Sequence, residues 1–96
     1  MNYRFHPEAL REFQLATVFY EGQQRGLGAR FMSAVQVAID HIMASPLSWR
    51  VLEDEVRRCL TRVFPYAVLY TVENDYVLIV AVMHCHREPR YWQHRI

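Results

Sequence analysis

The residues best suited to chemistry lie together near the C-terminal end: His84-Cys85-His86-Arg87-Glu88-Pro89-Arg90-Tyr91-Trp92. Two imidazoles, two guanidiniums and two large aromatics in nine positions suit the handling of a phosphate or another anion. Metal-free RNA cleavage needs a base for the 2′-hydroxyl, an acid for the leaving 5′-oxygen and cations for the charged phosphorane. If the chain is extended through position 86, His84 and His86 share a face about 6.5–7 Å apart and can flank a phosphate. Arg87 and Arg62 would then hold the transition-state charge, and Tyr91 or Trp92 would stack a base. The plainer reading has His84 capping a strand through a backbone hydrogen bond and His86 solvated. His84, His86 and His94 lack a carboxylate or thiolate to complete a zinc set, so no metal and no cofactor are expected.

Whatever its chemistry, that cluster must be positioned by what precedes it. Tyr76-Val77-Leu78-Ile79-Val80-Ala81-Val82-Met83 is continuously apolar and β-branched, the pattern of a strand buried on both faces. Pro89 then ends strand pairing. A central strand thus delivers a cationic, aromatic cluster to one edge of a small domain.

Ninety-six residues make one domain (residues 1–96), which buries only about 60–65% of its unfolded surface. All eleven basic residues are arginine, a bias that suits phosphate and carboxylate recognition but also follows from GC-rich coding. Formal net charge is +1, but residues 1–55 carry −2 and residues 56–96 carry +3, so the basic half is the half with the cluster. Arg4, Glu8, Arg11 and Glu12 interrupt any leader-like run, and no segment reaches the roughly 18 apolar residues that span a bilayer. Cys59 and Cys85 match no metal spacing and are too few for a disulfide scaffold, so a cytoplasmic protein with reduced thiols is expected.

In chain order, Tyr3 and Phe5 alternate with Arg4 and His6 as in a short strand. Pro7 and Glu8 open a helix to about Gln24 whose stripe is Leu10, Phe13, Thr17 and Tyr20, widened by Ala9, Ala16 and Phe19. Arg25-Gly26-Leu27-Gly28 breaks it. A second helix buries Phe31, Val35, Ala38, Ile39 and Ile42 and stops before Ser45-Pro46. So short a connection makes the helices an antiparallel hairpin. The period then changes to that of strands: an edge strand within residues 48–52, an acidic solvated turn at Glu53-Asp54-Glu55, and strands over 56–63, 66–72 and 76–83. Arg58 and Arg62 fall on one side of the first of these, Arg57 on the other. The fold class is α+β: an N-terminal strand, then an antiparallel helix hairpin packed on one face of a small, mainly antiparallel sheet.

These features, in this order, resemble the RelE/ParE superfamily of type II toxin–antitoxin toxins over nearly the whole length. The resemblance rests on Pro7-Glu8-Ala9, Tyr20-Glu21, Gly26-Leu27-Gly28 before Arg30-Phe31, and Ser45-Pro46. Val56-Arg57-Arg58, the block from Phe64 to Tyr70, Ala81-Val82-Met83-His84 and Arg87-Glu88-Pro89 complete it. It implies a toxin neutralised by a cognate antitoxin, with no membrane partner. RelE-like members cleave mRNA on the ribosome; ParE-like members poison DNA gyrase. Arg87 and Tyr91 fit the ribonuclease pattern, but Ala67 and Cys85 stand where those enzymes commonly carry basic residues. The ending looks more like ParE-type and plasmid-stabilisation members. Three readings follow: a gyrase inhibitor; an mRNA endoribonuclease using His84, Arg87 and Tyr91; or an inactive toxin serving only in an antitoxin-bound regulatory complex. Arg58, Arg62, His86, Arg90 and Trp92 are expected to contact the substrate or target. An apolar groove left for the antitoxin is also expected.

Overall fold

The computed structural model describes residues 1–96. β1 (Asn2–Phe5) leads into α1 (Pro7–Gln23) and α2 (Leu27–Ala44), then β2 (Val51–Glu53), β3 (Val56–Leu60), β4 (Tyr66–Val72) and β5 (Tyr76–His84), with a short 3-10 turn at Gln93–Arg95. The strands form one sheet in the order β1-β5-β4-β3-β2. All neighbours are antiparallel except β1 and β5, which run parallel with Asn2 opposite Tyr76 and Phe5 opposite Ile79. The expected α+β architecture is therefore present. No helix is long and apolar enough to cross a membrane.

The helix hairpin turns on two glycines and one carboxylate. Gly26 adopts φ +85°, a left-handed conformation that β-carbon-bearing residues resist. Gly28 lies where the helices touch: an added Cβ would meet Thr17 O at 2.9 Å and Glu21 Cβ at 3.0 Å. Glu21 accepts the Gly26 N–H at 3.1 Å and the Gly28 N–H at 3.0 Å, so the end of α1 caps the start of α2. A carboxylate at a helix N-terminus is favoured by both the free N–H groups and the dipole.

α2 buries the five residues its period predicts, Phe31, Val35, Ala38, Ile39 and Ile42. α1 departs from expectation. Its stripe is Ala9, Phe13, Ala16 and Tyr20, while Leu10 and Phe19 remain 40% and 58% exposed. Two alanines facing inward bring the helix close to the sheet, leaving its bulkier aliphatics on the outer side. Against α1 and α2 pack Cys59, Val68, Tyr70, Val77, Ile79 and Val82, with an aromatic cluster of Tyr20, Phe31, Phe64 and Tyr66 at one end.

The other face of the sheet is apolar too: Val56, Ala67, Leu69, Val80 and Ala81 form a second layer. No helix covers it. Trp92, 3% exposed, folds beneath the sheet to do so. The pairing of β4 with β5 shifts register between Leu69 and Tyr70, whose partners are Ala81 and Ile79. Val80 is thus the extra residue of a β-bulge, and Val80 and Ala81 both join the second layer.

Candidate functional site

β1 ends opposite Ile79, so the rest of β5 has no strand on that side. Side chains take the strand's place. The Val82 N–H donates to Glu12 Oε1 at 3.1 Å, and Val80 O accepts from Arg95 Nη1 at 3.0 Å. Arg95 grips Glu12 with two parallel bonds of 2.9 and 3.0 Å, and the Tyr91 hydroxyl donates to Glu12 Oε2 at 2.6 Å. Glu12 therefore accepts four hydrogen bonds, the full capacity of a carboxylate. Burial opposes the charge on Arg95, but Glu12 outweighs it and raises the guanidinium pKa. Burial, then the bond to Glu12, pushes the Tyr91 hydroxyl far above the ordinary tyrosine range. At the exposed margin Glu8 accepts from His94 at 2.9 Å, and that bond holds the Glu8 carboxyl below its usual value.

Beside this network opens a cleft of about 270 Å3 lined by Glu12, Leu15, Tyr66, His84, Arg87 and Tyr91, among others. Three residues singled out from sequence, His84, Arg87 and Tyr91, do meet here. Each already has a partner within the fold. His84 Nδ1 accepts the His86 N–H at 3.0 Å. The Tyr91 hydroxyl is committed to Glu12, and the Arg87 guanidinium lies over the Tyr91 ring, 4.0 Å from its centroid. Tyr66 packs edge-on against His84, and burial followed by the nearby Tyr20 raises its hydroxyl pKa.

Of the remaining expected contacts, Arg58, Arg90 and Trp92 line a separate cleft with Arg87, and Arg62 and His86 are not part of its lining. β5 stops at His84 and the chain turns, so His84 and His86 meet as rings 5.4 Å apart and not as alternate residues of a strand. β3 ends at Leu60, before Arg62; Arg62 lines a cleft with Trp49 and residues of α2, whereas Arg58 lines another with Met83 and Trp92. The pair expected on one side is therefore split. Arg90 is bound to Glu53 at 3.1 Å. Trp92 is core, not a contact surface, because it is the side chain large enough to close the second layer. Arg57 donates to Leu47 O and Trp49 O, tying down the segment after α2. Sequence reasoning passed over Glu12 and Arg95; the available signal was an acid at the i+3 position from Ala9 on the buried face of α1, which demands a cation.

A family model for the ParE toxin of the type II toxin–antitoxin system parDE matches residues 3–89. The chain belongs to the ParE toxin family. Among solved structures, the chromosomal ParDE toxin–antitoxin system of P. aeruginosa superposes with a TM-score of 0.65 at 14% identity, covering 88% of this chain and 95% of that one. At that identity the likeness speaks for the ParE fold. No curated protein sequence matches. The matched span holds both helices and, but for Asn2, all five strands, and stops short of Tyr91, Trp92 and Arg95, so the segment covering the second layer lies outside it.

Proposed function

We propose that this ParE-family chain arrests growth by inhibiting DNA gyrase, and that a cognate antitoxin neutralises it by covering the outer face of α1. The observation that carries the first part is the bonding of the cleft: Tyr91 held by Glu12, Arg87 laid on Tyr91, and His84 fixed by the His86 amide. Such groups form a rigid binding surface and leave no unengaged base beside an unengaged acid. The antitoxin reading is supported by Leu15, Val18 and Phe19, all more than half exposed on α1 beside the cleft. An apolar helix face of that kind invites an amphipathic partner segment.

The second reading, an mRNA endoribonuclease, has in its favour only that His84, Arg87 and Tyr91 line one cleft. Pulse labelling in a bacterial host separates the two. After induction, early loss of thymidine incorporation that survives His84→Ala is expected. Early loss of amino-acid incorporation, rescued by both His84→Ala and Arg87→Ala, would instead establish the nuclease. Failure to arrest growth at all would leave the chain a role only inside an antitoxin-bound regulatory complex.

A further inference from the structure

On the face of the sheet away from the helices lies a second cleft, of about 380 Å3, between β2, the end of β5 and the turn that follows. Its apolar lining includes Leu52, Met83 and Trp92, and its charged lining is Arg58, Arg87, Arg90 and the single acid Glu53. Arg90 satisfies Glu53. Arg58 is partly buried and has no carboxylate within ion-pair distance and no acceptor for its guanidinium. Arg87 has only the Tyr91 ring. Two guanidiniums without an anion thus face one cleft, one of them partly withdrawn from water, where an unmatched charge is costly.

The chemistry of the missing anion follows from the floor. Stacking of an unpaired base calls for an aromatic face, and Trp92, only 3% exposed, offers none. Met83 and Leu52 offer an aliphatic side chain a dry seat. β2 is the edge strand of the sheet, so an extended chain can run beside it.

We propose that this cleft binds an acidic peptide segment carrying one aliphatic side chain: carboxylates engage Arg58 and Arg87 while the aliphatic group rests on Met83 and Leu52. The site is separate from the cleft of Glu12 and His84, touching it only through Arg87, and does not depend on which macromolecule the toxin attacks. Carboxylates suit the planar fork of arginine.

The test uses the full chain, 15N-labelled, titrated with the blocked peptide Glu-Asp-Leu-Asp-Glu and, as controls, Glu-Asp-Ser-Asp-Glu and Lys-Lys-Leu-Lys-Lys. Saturable amide shifts at Leu52, Arg58, Met83 and Cys85 are expected with the first peptide alone. Cys85, exposed at the mouth, should then be shielded from iodoacetamide; buried Cys59 is the internal control. Arg58→Gln should weaken binding about tenfold, the loss of one charge-assisted contact. Arg90→Gln, at an exposed position, provides a second variant and should weaken it less, because Arg90 is already shared with Glu53. Equal response to the lysine peptide, shifts confined to Glu12 and His84, no saturation, or tighter binding of a single-stranded oligonucleotide at the same amides would each overturn the proposal.

Discussion

Glu12 shows how one side chain can stand in for a strand. It holds a backbone N–H of β5, a phenol and a guanidinium, joining α1 to the centre of the sheet and to the segment beneath it. The Arg95 side chain is only 5% exposed, so Glu12→Gln would leave a buried cation without its counter-charge. A loss of about 3 kcal/mol in urea unfolding is expected. Pairing the change with Arg95→Met should cost less than the sum of the two single changes. Val63 illustrates the opposite economy: it is β-branched, 88% exposed and holds φ 72°. Val63→Gly removes that strain and should raise the denaturant midpoint, by about 1 kcal/mol of stability. Tyrosines set the alkaline limit. Burial pushes Tyr70 up to about 12 from 10.0, and Tyr91 is raised as well. The folded state holds these protons more tightly, so their stabilisation is complete below pH 10 and is lost as pH rises towards 12. Circular dichroism with tyrosinate absorbance should show melting temperature falling across that interval, less steeply for Tyr70→Phe.

At the scale of elements, the residues that carried the family resemblance prove to be builders of the fold. Glu21, Gly26 and Gly28 make the hairpin; Phe64 and Tyr66 close the aromatic end; Arg57 fastens the segment after α2. Two glycine substitutions distinguish a required glycine from a tolerated one. Gly28→Ala forces a methyl against Thr17 O and should cost about 2 kcal/mol. Gly22→Ala, in α1 with nothing within 4 Å of the new methyl, should gain about 0.5 kcal/mol. Thermal melts of the pair should therefore move in opposite directions. α2 was legible because its apolar face is wide and regular. α1 was misphased because alanines, weak signals in any hydrophobic pattern, form its contact face, and larger apolar residues lie outside. The bulge at Val80 leaves no trace in a run where every neighbour is apolar.

For the molecule as a whole, the sequence of β5 already said that both of its faces are buried, yet the helices cover only one. The unfilled requirement pointed to a second cover. It was missed because Tyr91 and Trp92 sit among arginines and histidines, where an aromatic looks like a contact for a target. Composition describes a neighbourhood in sequence, whereas burial depends on where the turn after His84 sends the chain. Accordingly, a chain ending at Pro89 lacks Trp92, Tyr91 and Arg95 and exposes Leu69, Val80 and Ala81. It should bind ANS and lose near-ultraviolet circular dichroism, while Arg90→Gln, outside both layers, should leave these signals unchanged.

The bonds that close the fold also order its making. A ribosome lays down Glu12 early, but Tyr91 and Arg95 follow only 79 and 83 residues later. β1 likewise waits for Tyr76–Ile79 before it has a strand to pair with. A growing chain that has reached Arg90 holds both helices and every strand, yet β5 still lacks the guanidinium that completes its free side. Closure is thus postponed until synthesis has passed both helices and all five strands, and it rests on contacts of long sequence separation, the kind that form slowly.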